Sequence, residues 1–315
     1  MESTASIFVV GSFVAASAAA VDRFPRPGES LAAHAFFLEA GGKGFNVAVA
    51  ARRLGASVDG ILPIGTDMLA GLAAPAMERA RLPLTILQSF PGATGAGIGF
   101  IDRTGENCLA VYPGANAALS AREVGFRRGA IAEATVTMAQ FEIGDEPIKA
   151  AFAVARTAGR ITLLNPSPFR LPDREMLART TVLVINAVEA EAFATSLAVN
   201  ADDKAAVAYA LMAQGPEVVV ITLGGKGALL CRRGHGASPF DAFAVEAIDT
   251  LGAGDAFAAA IGVGLSEQRD WADIIRRACG CGAMVAARRG VFDAFPDTTA
   301  LEAFLTVRTP AASLD

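Results

Sequence analysis

Short apolar runs recur along this chain, and longer stretches with helical spacing separate them. Ser6–Val10, Ser57–Pro63, Thr135–Ala139, Arg160–Leu164, Thr181–Ile185 and Val218–Thr222 are nearly continuous in their apolar character, which predicts central strands. Asn46–Leu54, Asp67–Ala80, Pro147–Ala158 and Lys204–Gln214 read as helices. The alternation predicts an α/β fold, a doubly wound and mainly parallel sheet with helices on both faces. Two segments break it. Leu31–Glu39 and Gly97–Tyr112 read as antiparallel strands, the second turning at Asp102-Arg103-Thr104-Gly105-Glu106. They predict a small β lid of residues 13–41 and 95–113 over an α/β body of residues 1–12, 42–94 and 114–315. A flap of this kind would exclude water when closed, and its edges could pair with a second copy. Ligands of open parallel sheets bind beyond the carboxyl ends of the strands. The loops after Val10, Leu164, Ile185, Thr222 and Ile248 are therefore expected to line a site.

Composition narrows the choice of partner. The 315 residues are 53% hydrophobic and 19% charged, so a large core can form. Net charge is −5 with no basic tract, which argues against nucleic acid and membrane surfaces as partners. No apolar window reaches the length of a membrane helix. Ile7–Val21 is mostly apolar or small, but no positive side chain precedes it, so a buried first strand is expected in place of a signal peptide. Cys108, Cys231, Cys279 and Cys281 lack zinc or redox spacing and read as buried free thiols in a reducing cytoplasm. His34 and His235 lack partner motifs and read as ordinary loop or surface residues.

The densest chemistry lies in Asp249-Thr250-Leu251-Gly252-Ala253-Gly254-Asp255. Phe243–Ile248 before it alternates like a strand, and Ala256–Ile261 after it reads as a buried helix. Strand, glycine turn and helix start leave backbone N–H groups that suit a transferring phosphate. Asp255 beside them could take a proton from an attacking hydroxyl, or could simply favour the helix dipole. Gly41-Gly42-Lys43-Gly44-Phe45-Asn46 opens a helix and lets backbone approach a ligand, or forms a tight turn. Ile221-Thr222-Leu223-Gly224-Gly225-Lys226-Gly227 follows a strand and could hold phosphate, or form a β-turn. Neither loop is a Walker A, because glycine follows each lysine. Asn186-x-x-Glu189 could orient Mg2+ through its waters or close a capping box, and the spacing alone favours the box.

Taken together, these motifs resemble those of the PfkB carbohydrate kinases, in a ribokinase-like form. Gly41–Asn46 is similar to the family's first signature and Asp249–Asp255 to its second. Pro27-Gly28-Glu29, Gly114–Ser120, Leu164–Pro168 and Ile221–Gly224 add to the likeness, which runs from Val9 to about Pro296. The resemblance implies transfer of the γ-phosphoryl group of ATP to a hydroxyl of a sugar or sugar-like alcohol. Asp255 would be the base, with Gly252, Ala253 and Gly254 as the anion hole. Gly42, Lys43, Asn46 and Glu142 would bind or frame the sugar. Asn186, Thr222, Gly224, Gly225, Gly227 and Cys279 would border ATP. Glu189 would hold Mg2+ through water, and Asp249 with the Leu251 carbonyl would hold a monovalent cation, K+. A cytoplasmic homodimer joined through the lid is also implied.

This chain departs from the family at defined places. Val14 and Ala16 stand where the family carries an Asn and Asp that grip the sugar's secondary hydroxyls. A ribose diol there would lose partners on burial, at about 1–3 kcal/mol for each hydroxyl. Ala294 replaces a serine near the cation, and Cys279 replaces a histidine beside adenine. Three readings follow: a kinase for a sugar other than ribose, a kinase for a nucleoside or less polar alcohol, and a catalytically silent sugar-binding protein.

Overall fold

The computed structural model describes residues 6–103 and 106–308. Its strands, in chain order, are β1 (Ser6–Val10), β2 (Val14–Ala20), β3 (Ala35–Gly41), β4 (Ser57–Ile64), β5 (Leu87–Ser89), β6 (Gly95–Ile101), β7 (Asn107–Tyr112), β8 (Val136–Gln140), β9 (Ile161–Asn165), β10 (Val182–Asn186), β11 (Val218–Thr222), β12 (Ala228–Arg232) and β13 (Ala237–Phe240). Its helices are α1 (Lys43–Arg53), α2 (Ala73–Ala80), α3 (Ala121–Phe126), α4 (Arg128–Glu133), α5 (Asp145–Thr157), α6 (Arg174–Ala178), α7 (Ala187–Leu197), α8 (Lys204–Met212), α9 (Ala253–Ser266), α10 (Trp271–Ala286) and α11 (Thr298–Val307).

Nine strands form the large sheet in the order β13-β12-β11-β10-β9-β8-β1-β4-β5. From β11 to β5 every pairing is parallel, while β12 and β13 close one edge as antiparallel strands. Side chains alternate between the two faces, so each central strand feeds two cores. Ile7, Val9, Met138, Val182 and Val220 face one cluster with residues of α1, α2, α9, α10 and α11. Phe8, Val10, Ala139, Leu183 and Ile221 face the other, with residues of α3 to α8. This is the doubly wound sheet expected from the alternation. Burial on both faces explains the unbroken apolar runs: a fully buried Phe or Val contributes about 1.5–3 kcal/mol.

A second, four-stranded sheet has the order β3-β2-β6-β7. Its β2–β6 pair is parallel and its other two pairs are antiparallel. The chain passes from β1 to β2 through Gly11-Ser12-Phe13, so this second sheet grows out of the carboxyl end of a central strand. Buried Asn116 pins that crossing: it accepts from the Phe13 N–H at 3.0 Å and donates to the Phe13 carbonyl at 2.8 Å.

Several local expectations need correction. Phe243–Ile248 forms no strand, because β13 already closes the sheet edge. The N–H groups of Ile248 and Asp249 instead meet the Ala286 carbonyl at the end of α10. The first lid segment pairs as Ala35–Gly41, and the unassigned Val14–Ala20 is a strand. Asp67–Ala80 splits into a 3-10 turn, Met68–Leu72, and α2. Cys108 is exposed, while Cys231, Cys279 and Cys281 are buried; all four thiols are free. Thr104 and Gly105 of the expected turn lie outside the described residues. No helix among the described residues is long and apolar enough to cross a membrane.

Candidate active site

Two helix starts meet beyond the carboxyl end of β1. Gly42 precedes α1 with φ +96°, and Gly252 precedes α9 with φ +80°, both in the region that favours glycine. A Cβ on Gly252 would lie 2.7 Å from Cγ1 of Val291 and 3.5 Å from the Phe295 ring. Glycine therefore lets the chain turn into α9 against that packed segment. The Ala253 N–H donates to the Thr250 carbonyl at 3.2 Å, whereas the Gly254 and Asp255 N–H groups find no acceptor among the described residues. Of the expected anion hole, only Ala253 is engaged in this way; the Gly252 and Gly254 amides stay free among the described residues, and Asp255 adds its own.

Asp255 sits at this start, its side chain only 5% exposed. Its Oδ2 accepts from Nδ2 of Asn46 at 2.8 Å, and Nζ of Lys43 lies 3.8 Å from Oδ1. The Asp255 charge, more than any other cause, raises the Lys43 ammonium above its ordinary pKa; burial opposes this, and Glu142 and Glu189 add to it. Lys43 thus faces the charge of three carboxylates, from α9, from the turn between β8 and α5, and from α7. Glu142 is fixed in turn. Its Oε2 accepts from Oγ of buried Ser12 and from the Lys43 N–H at 2.7 Å. Ser12 Oγ also accepts from the Gly44 N–H at 3.2 Å. Gly42, Lys43, Asn46, Glu142 and Asp255 are thus joined by direct contacts. Ser12 and Asn116 were not singled out by the motifs, although Asn116 lies within one of the segments that carried the likeness. The signal for Ser12 is positional: it stands two residues after the first central strand.

Asn186, Thr222 and the Gly224–Gly227 turn lie at the carboxyl ends of β10 and β11, where Asn186 and Thr222 are register neighbours. Asn186 caps α7 and closes a capping box with Glu189, each side chain accepting the other's N–H at 2.8 Å. The box anticipated from the spacing is present, and it also buries Glu189. Burial raises the Glu189 carboxyl above its ordinary pKa, opposed by the Asn186 N–H, the Lys43 charge and the Ser167 hydroxyl. Gly224 and Gly225 lie exposed in a 3-10 turn after β11, and Gly227 closes that turn by donating to Gly224 and accepting from Leu223. Cys279 lies buried on α10; burial foremost, then the Asp241 charge, pushes its thiol up to about 12. Asp249 accepts from the Leu251 N–H at 3.0 Å and the Gly290 N–H at 3.3 Å, while the Leu251 side chain is exposed.

A sheet-end site with an acid at a helix start, a lysine among carboxylates and a small second sheet alongside suits a phosphotransferase of the α/β class. Residues 4–298 match the pfkB family carbohydrate kinase model, and the chain belongs to that family. It is 31% identical to a ribokinase of Haemophilus influenzae over 294 residues, covering 92% of this chain and 95% of the relative. It is 27% identical to a deoxyribokinase of Salmonella typhi over 304 residues, covering 96% and 99%. The crystal structure of ribokinase from Thermotoga maritima superposes with a TM-score of 0.88 at 28% identity, covering 95% of this chain and 99% of that one. The protein is an ATP-dependent carbohydrate kinase.

Proposed function

We propose that Asp255 removes the proton from the acceptor hydroxyl as the γ-phosphoryl group is transferred. The acceptor oxygen forms a bond to phosphorus while the bond from phosphorus to the leaving oxygen of ADP breaks. The free amides of Gly254 and Asp255 face the charge that develops on the phosphoryl oxygens. Asn46 and Lys43 hold the Asp255 carboxylate, and Glu142, held by Ser12, receives an acceptor hydroxyl. ATP lies along Asn186, Thr222 and the Gly224–Gly227 turn, with Cys279 beside the base. The observation that carries this reading is the buried Asp255 beside two unpaired amides, joined to α1 through Asn46.

The residues fit Mg2+ held through water: Glu189 is a buried carboxylate at the sheet edge, next to the exposed Asn186. When bound, the ion neutralises charge on the β- and γ-phosphates. Asp249 and the Leu251 carbonyl would hold a monovalent cation, K+, to which Ala294 adds no hydroxyl.

The acceptor is a sugar or related alcohol with an apolar side toward the lid. Val14 and Ala16 pair with Gly41 and Glu39 of β3 and with Gly95 and Gly97 of β6, so the lid carries no side-chain donor at the start of β2. A deoxygenated sugar suits this surface better than ribose does. The lid also suits a homodimer. Phe36, Leu38, Ile98 and Tyr112 are exposed and share one face by register, an apolar surface that a second copy would cover. The free thiols suit a reducing cytoplasm.

An acceptor screen that measures ADP release tests this reading. Turnover of a deoxy sugar above that of ribose supports it. Turnover of nucleosides alone favours the second reading, and no turnover favours a silent binding protein.

A further inference from the structure

At the far end of α1 from Lys43, Arg52, Arg53, Arg79 and Arg81 line a cleft of about 390 Å³ with Phe295 and Asp297. The helix places this cleft about 15 Å from the Asp255 site. A second hollow of about 310 Å³ shares Arg52 and Arg81. Acidic residues outnumber basic ones in the whole chain, 32 to 27, so composition does not explain four guanidinium groups in one cleft. Arg52 and Arg53 lie in the last turn of α1, Arg79 lies in the last turn of α2 and Arg81 is its C-cap, positions where helix dipoles favour cations; the dipoles do not by themselves require the four to converge on one cleft.

The charges there are only partly answered. Arg79 and Arg53 share Asp293, at 2.5 and 3.8 Å. Asp297 is engaged as the cap of α11, accepting from the Ala300 N–H at 2.8 Å. Arg52 donates only to the carbonyls of Arg81, at 3.0 Å, and Ala56, at 3.4 Å. The Arg81 guanidinium has no hydrogen-bond or ion-pair partner among the described residues. Burial holds Arg53 below the ordinary guanidinium range; Asp293 opposes this, and the neighbouring Arg79 and Arg288 charges add to it. The four arginines outnumber the carboxylates beside them, Asp293 and Asp297, so the cleft carries excess positive charge that suits a phosphomonoester dianion. The volume falls within the roughly 300–1,000 Å³ of small-molecule sites.

We propose that this cleft binds a small phosphomonoester, its phosphate gripped by Arg52 and Arg81 and drawing on Arg53 and Arg79. The ligand would compete with Asp293 for those two arginines. Asp293 belongs to the segment that backs the α9 start: both arginines lie over the Phe292 ring, at 4.8 and 4.5 Å, and Val291 and Phe295 pack against Gly252. The cleft is thereby placed to loosen or tighten the phosphate groove from behind.

Calorimetric titration with glycerol 3-phosphate, with a non-hydrolysable ATP analogue saturating the groove, tests the site. Saturable binding is expected in the wild type. The Arg52→Gln/Arg81→Gln variant, shown to be folded by its circular dichroism spectrum, should bind about tenfold more weakly or worse. An Arg52→Lys/Arg81→Lys variant, which keeps charge and fold but loses the planar fork, should fall between. Equal affinity in all three proteins, no binding in the wild type, or equal competition by inorganic sulfate would overturn the proposal. Amide hydrogen exchange at Asp293–Phe295 reads the coupling. A ligand-dependent change in the wild type that is absent from the Gln variant supports it, and unchanged rates overturn it.

Discussion

Replacing Gly252 by alanine isolates the helix start from the base it carries. The native φ of +80° is strained for any residue with a Cβ, at about 1–2 kcal/mol. The new methyl would also lie 2.7 Å from Val291 Cγ1, inside any normal contact, and overpacking of this kind costs about 1–3 kcal/mol. The stability loss should therefore fall near 2–5 kcal/mol, toward the lower end if the Val291 segment moves aside. The same shift displaces the Gly254 and Asp255 amides. A misplacement near 1 Å is enough to cost about 10²-fold in rate. Gly254→Ala is the control: nothing lies within 4 Å of its added Cβ, and its φ is not positive. Its folding stability should be unchanged or raised by up to about 1 kcal/mol, as alanine suits a helix better. Denaturant titration and steady-state ADP release read both quantities. Wild-type stability and kcat in Gly252→Ala would refute the idea that this turn sets the groove.

The acceptor surface can be tested by reversal. Val14→Asn with Ala16→Asp should raise kcat/KM for ribose by about tenfold or more, since each newly paired hydroxyl is worth about 1–3 kcal/mol; no gain would detach these positions from the acceptor. Glu189 has a folded pKa above its unfolded value, so its burial leaves stability intact below the unfolded pKa and weakens it as pH rises through the folded one. Glu189→Gln, which can keep the capping contact, should therefore be more stable than wild type at neutral pH while turnover falls. A variant less stable at pH 7, or equally active, would contradict this.

Much of the fold was legible because the central strands are buried on both faces and carry unbroken Val, Leu and Ile. The lid was less so. Val14–Ala20 is mostly alanine, with Val14 its one β-branched residue and no aromatic to mark a strand, and its partners Ala35–Gly41 and Gly95–Ile101 make it one. Phe243–Ile248 misled in the opposite way. Phe243 is buried against Phe304, with ring centres 5.2 Å apart, but alternation cannot reveal that the sheet edge is already closed. At the site, Asp255 and Lys43 were marked by their glycine-rich surroundings. Ser12 and Asn116 act across 130 and 103 residues of sequence, on Glu142 and Phe13, and no local spacing encodes such contacts.

The kcat of Asp255→Asn, measured by ADP release on the acceptor the screen identifies, is the most direct test of the phosphotransfer mechanism. Asparagine can still accept from Asn46, so folding should survive. A fall of at least about 10²-fold, with the KM for ATP nearly unchanged, is expected when a general base is lost. Turnover at the wild-type rate would show that another group takes the proton.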